Sequence, residues 1–364
     1  MVQCCAVQMY SAIKEANWYK WNTKLHAHLI ALLEKYEQQD EAHSLRLEAN
    51  ENLKPVDKIK FYCSLIEYYS KCGLKDQILS TYKLLKDLPH KSVDAIGYKS
   101  LISALSLMNL PNEAEEILTE MEASGYKPCP NEFKSILYAH GRCGHFQEME
   151  GTLNLLESCG HPVDIVTINM ILSCYGTYQE YKSIKTWLRR MQIDNIDLSI
   201  RTYNAVANSC PTLISFALLH EDIPLSTGSL LDAMGKKGIT EELSLVQVLL
   251  SLGLPPGSTD WCGMQWTLDL HGMVPSAAYA TLLVWLEEVN LRIEGTSKLP
   301  SEISVVCGVG KHSMSRGDSP IKIMISEMMF KMKSPFKVDR LNRGRFIARG
   351  NIVKAWLCQM IQKY

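Results

Sequence analysis

Along the first part of the chain, apolar residues recur at helical spacing and in paired runs. The segments AIGYKSLISALSLMN from Ala95, PNEFKSILYAHGRCG from Pro130, IVTINMILSCYGTYQ from Ile165 and IRTYNAVANSCPTLI from Ile200 begin 35 residues apart. IKFYCSLIEYYSKCG from Ile59 precedes them by 36, and a degenerate copy is expected over Leu25 to Asn52. Each unit predicts two helices. In the unit from Ile165, Ile168, Ile171, Leu172 and Tyr175 share one face. In the unit from Ala95, the second run places Ala114, Ile117, Leu118 and Met121 inward and Glu113, Glu115, Glu116, Glu120 and Glu122 elsewhere. Gly125 suits the C-terminus of that helix, and Pro128 blocks its continuation. One such hairpin cannot bury its apolar face alone, whereas stacked hairpins can, so the pattern predicts an α-helical solenoid with a concave groove.

The repeat fades after Cys210. LLDAMGKK and EELSLVQVLLSLG read as helices, and PPGSTDWCG from Pro255 reads as a linker. From Gln265 the pattern becomes α/β. QWTLDLHG predicts a strand, Pro275 to Arg292 a helix, EISVVCGVG a strand running into a glycine loop, and Ile321 to Met332 a helix. FKVDRL and RFIAR follow as strands and Asn351 to Lys363 as a last helix, which implies a small sheet with helices against it. The expected organisation is a degenerate helical cap or repeat over 1–58, repeats over 59–210, a helical transition and linker over 211–263, and an α/β two-layer domain over 264–364.

Composition changes this picture in one respect. Formal net charge is −1 overall, but from Cys262 onward there are 14 Lys and Arg against 8 Asp and Glu. The last domain therefore carries +6 and the rest −7. A basic domain attracts polyanions. The 12 cysteines form no CxxC pair and no zinc-type spacing, and read as reduced thiols of an intracellular protein. No apolar run reaches the ~18 residues that span a bilayer, so no membrane insertion is expected.

Candidate chemistry lies where the α/β pattern begins. Strand alternation turns Leu268 and Leu270 to one side and Asp269 and His271 to the other, at the strand's C-terminal end. Ligands bind open α/β sheets at that edge. A parallel second strand would bring Cys307 to Ser313 (CGVGKHS) beside the pair, where Gly308 and Gly310 let backbone N–H groups approach a phosphate and Lys311 adds charge. A turn-capping Asp-x-His and an ordinary glycine turn are the structural alternatives.

The 35-residue period, the helix pairs and the landmarks VTINMILSCYG, RTYNAVANSC and EMEASGYKP resemble the pentatricopeptide repeat over Ile59 to Cys210. The resemblance implies binding of single-stranded RNA, with the fifth and last residues of a unit choosing one base. Those pairs are Cys63 with Asp94, Lys99 with Cys129, Lys134 with Asp164, and Asn169 with Ser199. Asn169 and Ser199 have the make-up of a base-reading pair, Lys99 and Lys134 suit phosphates instead, and Asn204 opens a unit whose end the sequence does not mark. A solenoid that scaffolds, or that binds protein, is the alternative.

LDLH at Leu268, CGVG at Cys307 and GRFIARGNIVKAWL from Gly344 resemble the Smr (small MutS-related) domain, in the order found in plant proteins where pentatricopeptide repeats precede it. That resemblance implies RNA endonuclease activity, or DNA nicking. His271 would act as general base or acid, an imidazole ordinarily titrating near neutral pH. Asp269 would either orient His271 or hold Mg²⁺, and the sequence leaves both open. Gly308, Gly310 and Lys311 would hold the phosphate, with Arg345 as a backbone-phosphate contact or simply a surface arginine. Cys307 stands where the family carries threonine, which removes a hydroxyl. A non-catalytic adaptor for RNA or protein is the competing class. The implied setting is organellar RNA metabolism, in the chloroplast or alternatively the mitochondrion, with RNA-processing or nucleoid proteins as further partners. The opening MVQCCAVQMYSAIKEAN shows neither a signal-peptide charge pattern nor the arginines and serines of a typical transit peptide.

Overall fold

Helix pairing governs most of the chain. A computed structural model describes residues 20–88, 93–219, 223–296, 298–308 and 319–361, together with Tyr10, Ala12, Ile13 and Ala16. The chain divides into two compact units, Met1–Val163 and Asp164–Tyr364.

The first unit contains α1 (Thr23–Lys35), α2 (Gln39–Asn52), α3 (Pro55–Cys72), α4 (Lys75–Lys86), α5 (Val93–Leu107), α6 (Pro111–Ala123), α7 (Pro130–Cys143) and α8 (Phe146–Ser158). The first helices of successive pairs, α1, α3, α5 and α7, pack in a row. Phe61, Leu65, Leu101, Ile102, Phe133 and Ile136 fill the core. Left-handed residues mark the bends. Gly73 (φ 77°), Asn109 (φ 58°) and Gly144 (φ 77°) close the turn inside three hairpins, and Gly125 (φ 82°) and Gly160 (φ 81°) end two second helices. A left-handed residue lets the last carbonyls find partners while the chain reverses. The acids of α6 are not idle surface: Lys75 of α4 lies 2.7 Å from Glu113, Lys86 of α4 lies 3.4 Å from Glu120, and Thr152 of α8 donates to Glu115 at 3.1 Å. They cross-link the outer helices of neighbouring hairpins.

In the second unit the same pattern continues with α9 (Ile165–Thr177), α10 (Tyr181–Ile193), α11 (Ile200–Asn208), α12 (Pro211–Leu219), α13 (Thr227–Lys236) and α14 (Thr240–Ser251). Gln179 (φ 58°), Asn195 (φ 52°), Gly238 (φ 71°) and Gly253 (φ 75°) take left-handed positions at its bends. Hairpins thus persist beyond Cys210, where the sequence pattern fades. One buried acid fastens them: Glu242 of α14 accepts from the N–H groups of Thr212 (2.7 Å) and Leu213 (3.3 Å) and from the Thr212 hydroxyl (2.9 Å). It satisfies donors that the start of α12 would otherwise leave bare.

The α/β layer comprises β1 (Thr259–Asp260), β2 (Gln265–Asp269), α15 (Pro275–Gly295), β3 (Glu302–Val306), α16 (Pro320–Lys331), β4 (Lys337–Val338), β5 (Arg345–Arg349) and α17 (Gly350–Ile361). The sheet order is β1-β2-β3-β5-β4, with β2 and β3 parallel and the other neighbours antiparallel. Register aligns Trp266 with Ile303 and Ala348, and Leu268 with Val305 and Phe346, giving one apolar face. The opposite face carries Thr267, Ser304 and Arg345. Two expectations change here. PPGSTDWCG is not a free linker: it forms the edge strand β1, and Ser258 O accepts from the N–H of Asp269 at 2.6 Å. FKVDRL contributes only the two residues of β4. Sequence alone hides both, because edge pairing depends on a distant partner.

Over its first three turns helix α15 is buried nearly all round, including Ala277, Ala278, Tyr279, Leu282 and Trp285, while its end carries the exposed Glu287, Leu291, Arg292 and Glu294. It packs on α11 and α12 and also on α16 and α17. A stretch apolar on all sides is one packed on from several directions.

Two glycines test the backbone argument. An added Cβ meets nothing within 4 Å at either Gly73 or Gly151. Gly73→Ala is expected to destabilise the protein by about 1–2 kcal/mol, because φ is left-handed there. Gly151→Ala, within α8, is expected to stabilise it by about 0.5–1 kcal/mol. Chemical denaturation measures both signs.

Candidate functional site: the ends of two parallel strands

Strand β2 ends at Asp269, paired in register with Val306 at the end of β3, and Leu270 N–H continues the ladder to Val306 O at 2.9 Å. Both strands therefore finish at one edge. Asp269 Oδ1 accepts from the backbone N–H of His271 (2.9 Å) and lies 2.8 Å from His271 Nδ1. The first bond makes a tight Asx turn that fixes where the imidazole leaves the backbone. The second decides the tautomer, since a carboxylate only accepts and Nδ1 must carry the proton. Nε2 is then free to take a proton. Both groups remain open to solvent, at 61% side-chain exposure for His271 and 48% for Asp269.

Gly308 closes the other side. Its φ is 76°, and a Cβ there would sit 2.9 Å from His271 Nε2. The glycine is needed twice, for its backbone angle and for the space the ring occupies. The glycine turn and the Asp–His pair thus meet. Gly310 and Lys311 lie outside the described residues.

Cys307 is 4% exposed, and burial pushes its thiol up to about 12. A side chain at this position is shielded from a solvent-borne phosphate.

Arg345 differs from its expected role as a phosphate contact. Its Nη2 donates to Glu302 Oε1 (2.6 Å) and Ser304 Oγ (3.2 Å), and Nη1 lies 3.7 Å from Asp339 Oδ2. Two carboxylates neutralise it, and the fork that would grip a phosphate is already engaged. The sequence gives no sign of this, because Glu302 and Asp339 come from other strands and turns.

Asp269 spends Oδ1 on His271, and among the described residues no group of three or more His, Cys, Asp or Glu could hold an ion.

The candidate RNA-facing residues show a regular device. In three units the last residue is the N-cap of the next helix: Cys129 precedes α7, Asp164 precedes α9, and Ser199 precedes α11, whereas Asp94 lies in the first turn of α5. Asp164 Oδ1 accepts from Thr167 N–H at 2.9 Å, and Ser199 Oγ from Thr202 N–H at 3.2 Å. Fifth residues reach these caps. Lys99 Nζ donates to Cys129 Sγ (3.4 Å), and Asn169 Nδ2 donates to Ser199 Oγ (3.1 Å) while its Oδ1 accepts from Thr202 (2.9 Å). Lys134 is half-buried on α7. Asn204 departs from the pattern. Its Nδ2 donates to Gly272 O (2.7 Å), and its Oδ1 accepts from Val274 N–H (2.9 Å). Four residues on, Asn208 Oδ1 accepts from Ser276 Oγ at 3.3 Å. Sequence reading misses this clasp; the only trace is a pair of amides one helical turn apart.

Fold and caps together define a helical-repeat protein with a small α/β layer. A PPR repeat family model matches residues 96–126. The pentatricopeptide repeat-containing protein At2g17033 of Arabidopsis thaliana is 39% identical over 361 residues, covering 97% of this chain and 71% of that protein. The chain belongs to the pentatricopeptide repeat family. The chloroplastic Arabidopsis thaliana relative At5g48730 is 27% identical over 194 residues, 53% of this chain and 38% of its own length. The crystal structure of the pentatricopeptide repeat protein PPR10 from maize aligns over 88% of this chain and 43% of its own, at 14% identity and a TM-score of 0.44.

Two outcomes check the site's construction. Gly308→Ala is expected to cost about 1–2 kcal/mol from the backbone angle alone and to displace the His271 ring, visible as a changed imidazole NMR signal. Burial both hides the Cys307 thiol and disfavours its thiolate, the form that reacts. Iodoacetamide should then label the exposed Cys159, Cys262 and Cys358 while sparing Cys307 until the protein unfolds.

Proposed function

We propose that the chain binds single-stranded RNA along its repeats and that its α/β layer is an Smr-type domain that cleaves an RNA phosphodiester bond. The observation that carries this reading is the meeting of Asp269, His271 and Gly308 at the ends of β2 and β3, within a chain of the pentatricopeptide repeat family. Such repeats read RNA one base per helical repeat. The caps and fifth residues supply polar groups at the unit spacing, and Lys99 and Lys134 supply charge for phosphates. The chloroplast is the proposed compartment, in keeping with relatives named chloroplastic.

The chemistry follows from the tautomer. Asp269 holds Nδ1–H, so His271 Nε2 accepts the proton of a ribose 2′-OH as that oxygen attacks phosphorus. The bond to the 5′-oxygen breaks, and the imidazolium, or water, returns a proton to it. The products are a 2′,3′-cyclic phosphate and a 5′-hydroxyl. Backbone N–H groups of the turn at Gly308 and Gly310, with Lys311, would stabilise the charge gathering on the phosphoryl oxygens. DNA lacks the nucleophile and is spared. No step requires Mg²⁺.

Asp269→Ala and His271→Ala are each expected to lower RNA cleavage by the full chain at least ~100-fold with circular dichroism unchanged. If both variants cut like the parent, the site is wrong. Parent protein that retains RNA and returns it intact would favour a non-catalytic adaptor. The engagement of Arg345 by Glu302 and Asp339, which leaves the edge one cation poorer, favours that second reading.

A further inference from the structure

Asn169 and Asn204 hold the same place in successive units, 35 residues apart on α9 and α11. Their partners differ in kind. Asn169 bonds hydroxyl side chains, Ser199 and Thr202, which can rotate to other partners. Asn204 bonds the main chain, with both ends of its amide used: the donor on Gly272 O and the acceptor on Val274 N–H. For this amide to read a base, both backbone groups would have to be left without their partner. The turn is also held from its other end, where Asp269 accepts from His271 N–H (2.9 Å) and Met273 N–H reaches Leu270 O (3.2 Å).

We propose that Asn204 is a latch and not a base reader: it ties the turn that follows His271 to α11, ends the base-reading row at Asn169 and Ser199, and sets the next nucleotide of a bound strand on Asp269 and His271. This rests on the RNA reading above. Gly272 follows His271 directly, about 3.8 Å away along the chain. The place where the next base would be read is therefore the place where the candidate site begins. With one base per repeat, cleavage falls ~1–2 nucleotides beyond the base held at Asn169.

The experiment uses the full chain and three readouts: hydrogen exchange over residues 272–276, RNA selection from a random pool, and mapping of cut ends. Asn204→Ala is expected to exchange about tenfold faster over 272–276 and to select the same motif as the parent. Asn204→Asp keeps the acceptor for Val274 N–H and should recover part of the protection, which general unfolding would not allow. Asn169→Ala should lose base preference at one end of the motif. Parental cuts should lie within two nucleotides of that end, and Asn204→Ala should scatter them. The latch is overturned if Asn204→Ala relaxes one motif position as Asn169→Ala does, or leaves exchange unchanged. Cuts mapping elsewhere overturn the delivery of the strand to His271. If the parent selects no RNA, the RNA reading and the reading-row claim fail together, and exchange alone decides the latch. If it selects RNA but cuts none, delivery for cleavage fails, while motif and exchange still decide the latch.

Discussion

A helix hairpin of this kind leaves one apolar face uncovered, and the fold is a series of answers to that constraint. In the first unit the answer is another hairpin, so α1, α3, α5 and α7 lie in a row around Phe61, Leu101 and Phe133. In the second unit α15 covers α11 and α12. Its burial over residues 276–286, with Tyr279 and Trp285 fully enclosed, marks it as the element shared by the repeats and the helices of the α/β layer. The α/β layer is thus not an appendage joined by a tether.

Polar groups are placed under the same economy. In three units the last residue caps the next helix, and the fifth residue of two units reaches that cap. The positions proposed to face RNA are therefore also positions that hold a helix start. Changing one for specificity alters a cap, which typically contributes ~1 kcal/mol. Asn204 shows the same position given wholly to structure, since its partners are backbone groups of another element.

At the sheet edge, geometry and charge point in different directions. Asp269 orients His271, and Gly308 clears space for its ring. The nearby Arg345 is held by Glu302 and Asp339, so the positive charge counted over the last domain is less available at this edge than the sequence implies. Net charge is a sum over a domain, whereas a phosphate meets individual groups.

Local rules carried much of this in the sequence. The 35-residue period fixed the hairpins, because apolar spacing and left-handed turn residues act within a few positions. Strand alternation placed Asp269 and His271 outward and Leu268 and Leu270 in the core, since successive side chains oppose each other. Gly308's meeting with that pair needed only the assumption that β2 and β3 run parallel, which they do. Tertiary structure alone decided the rest. PPGSTDWCG became an edge strand, hairpins continued past Cys210, Arg345 acquired two acids, and Asn204 turned to Gly272 and Val274. Each depends on a partner brought near by folding and distant in the chain, and no local pattern records such a partner.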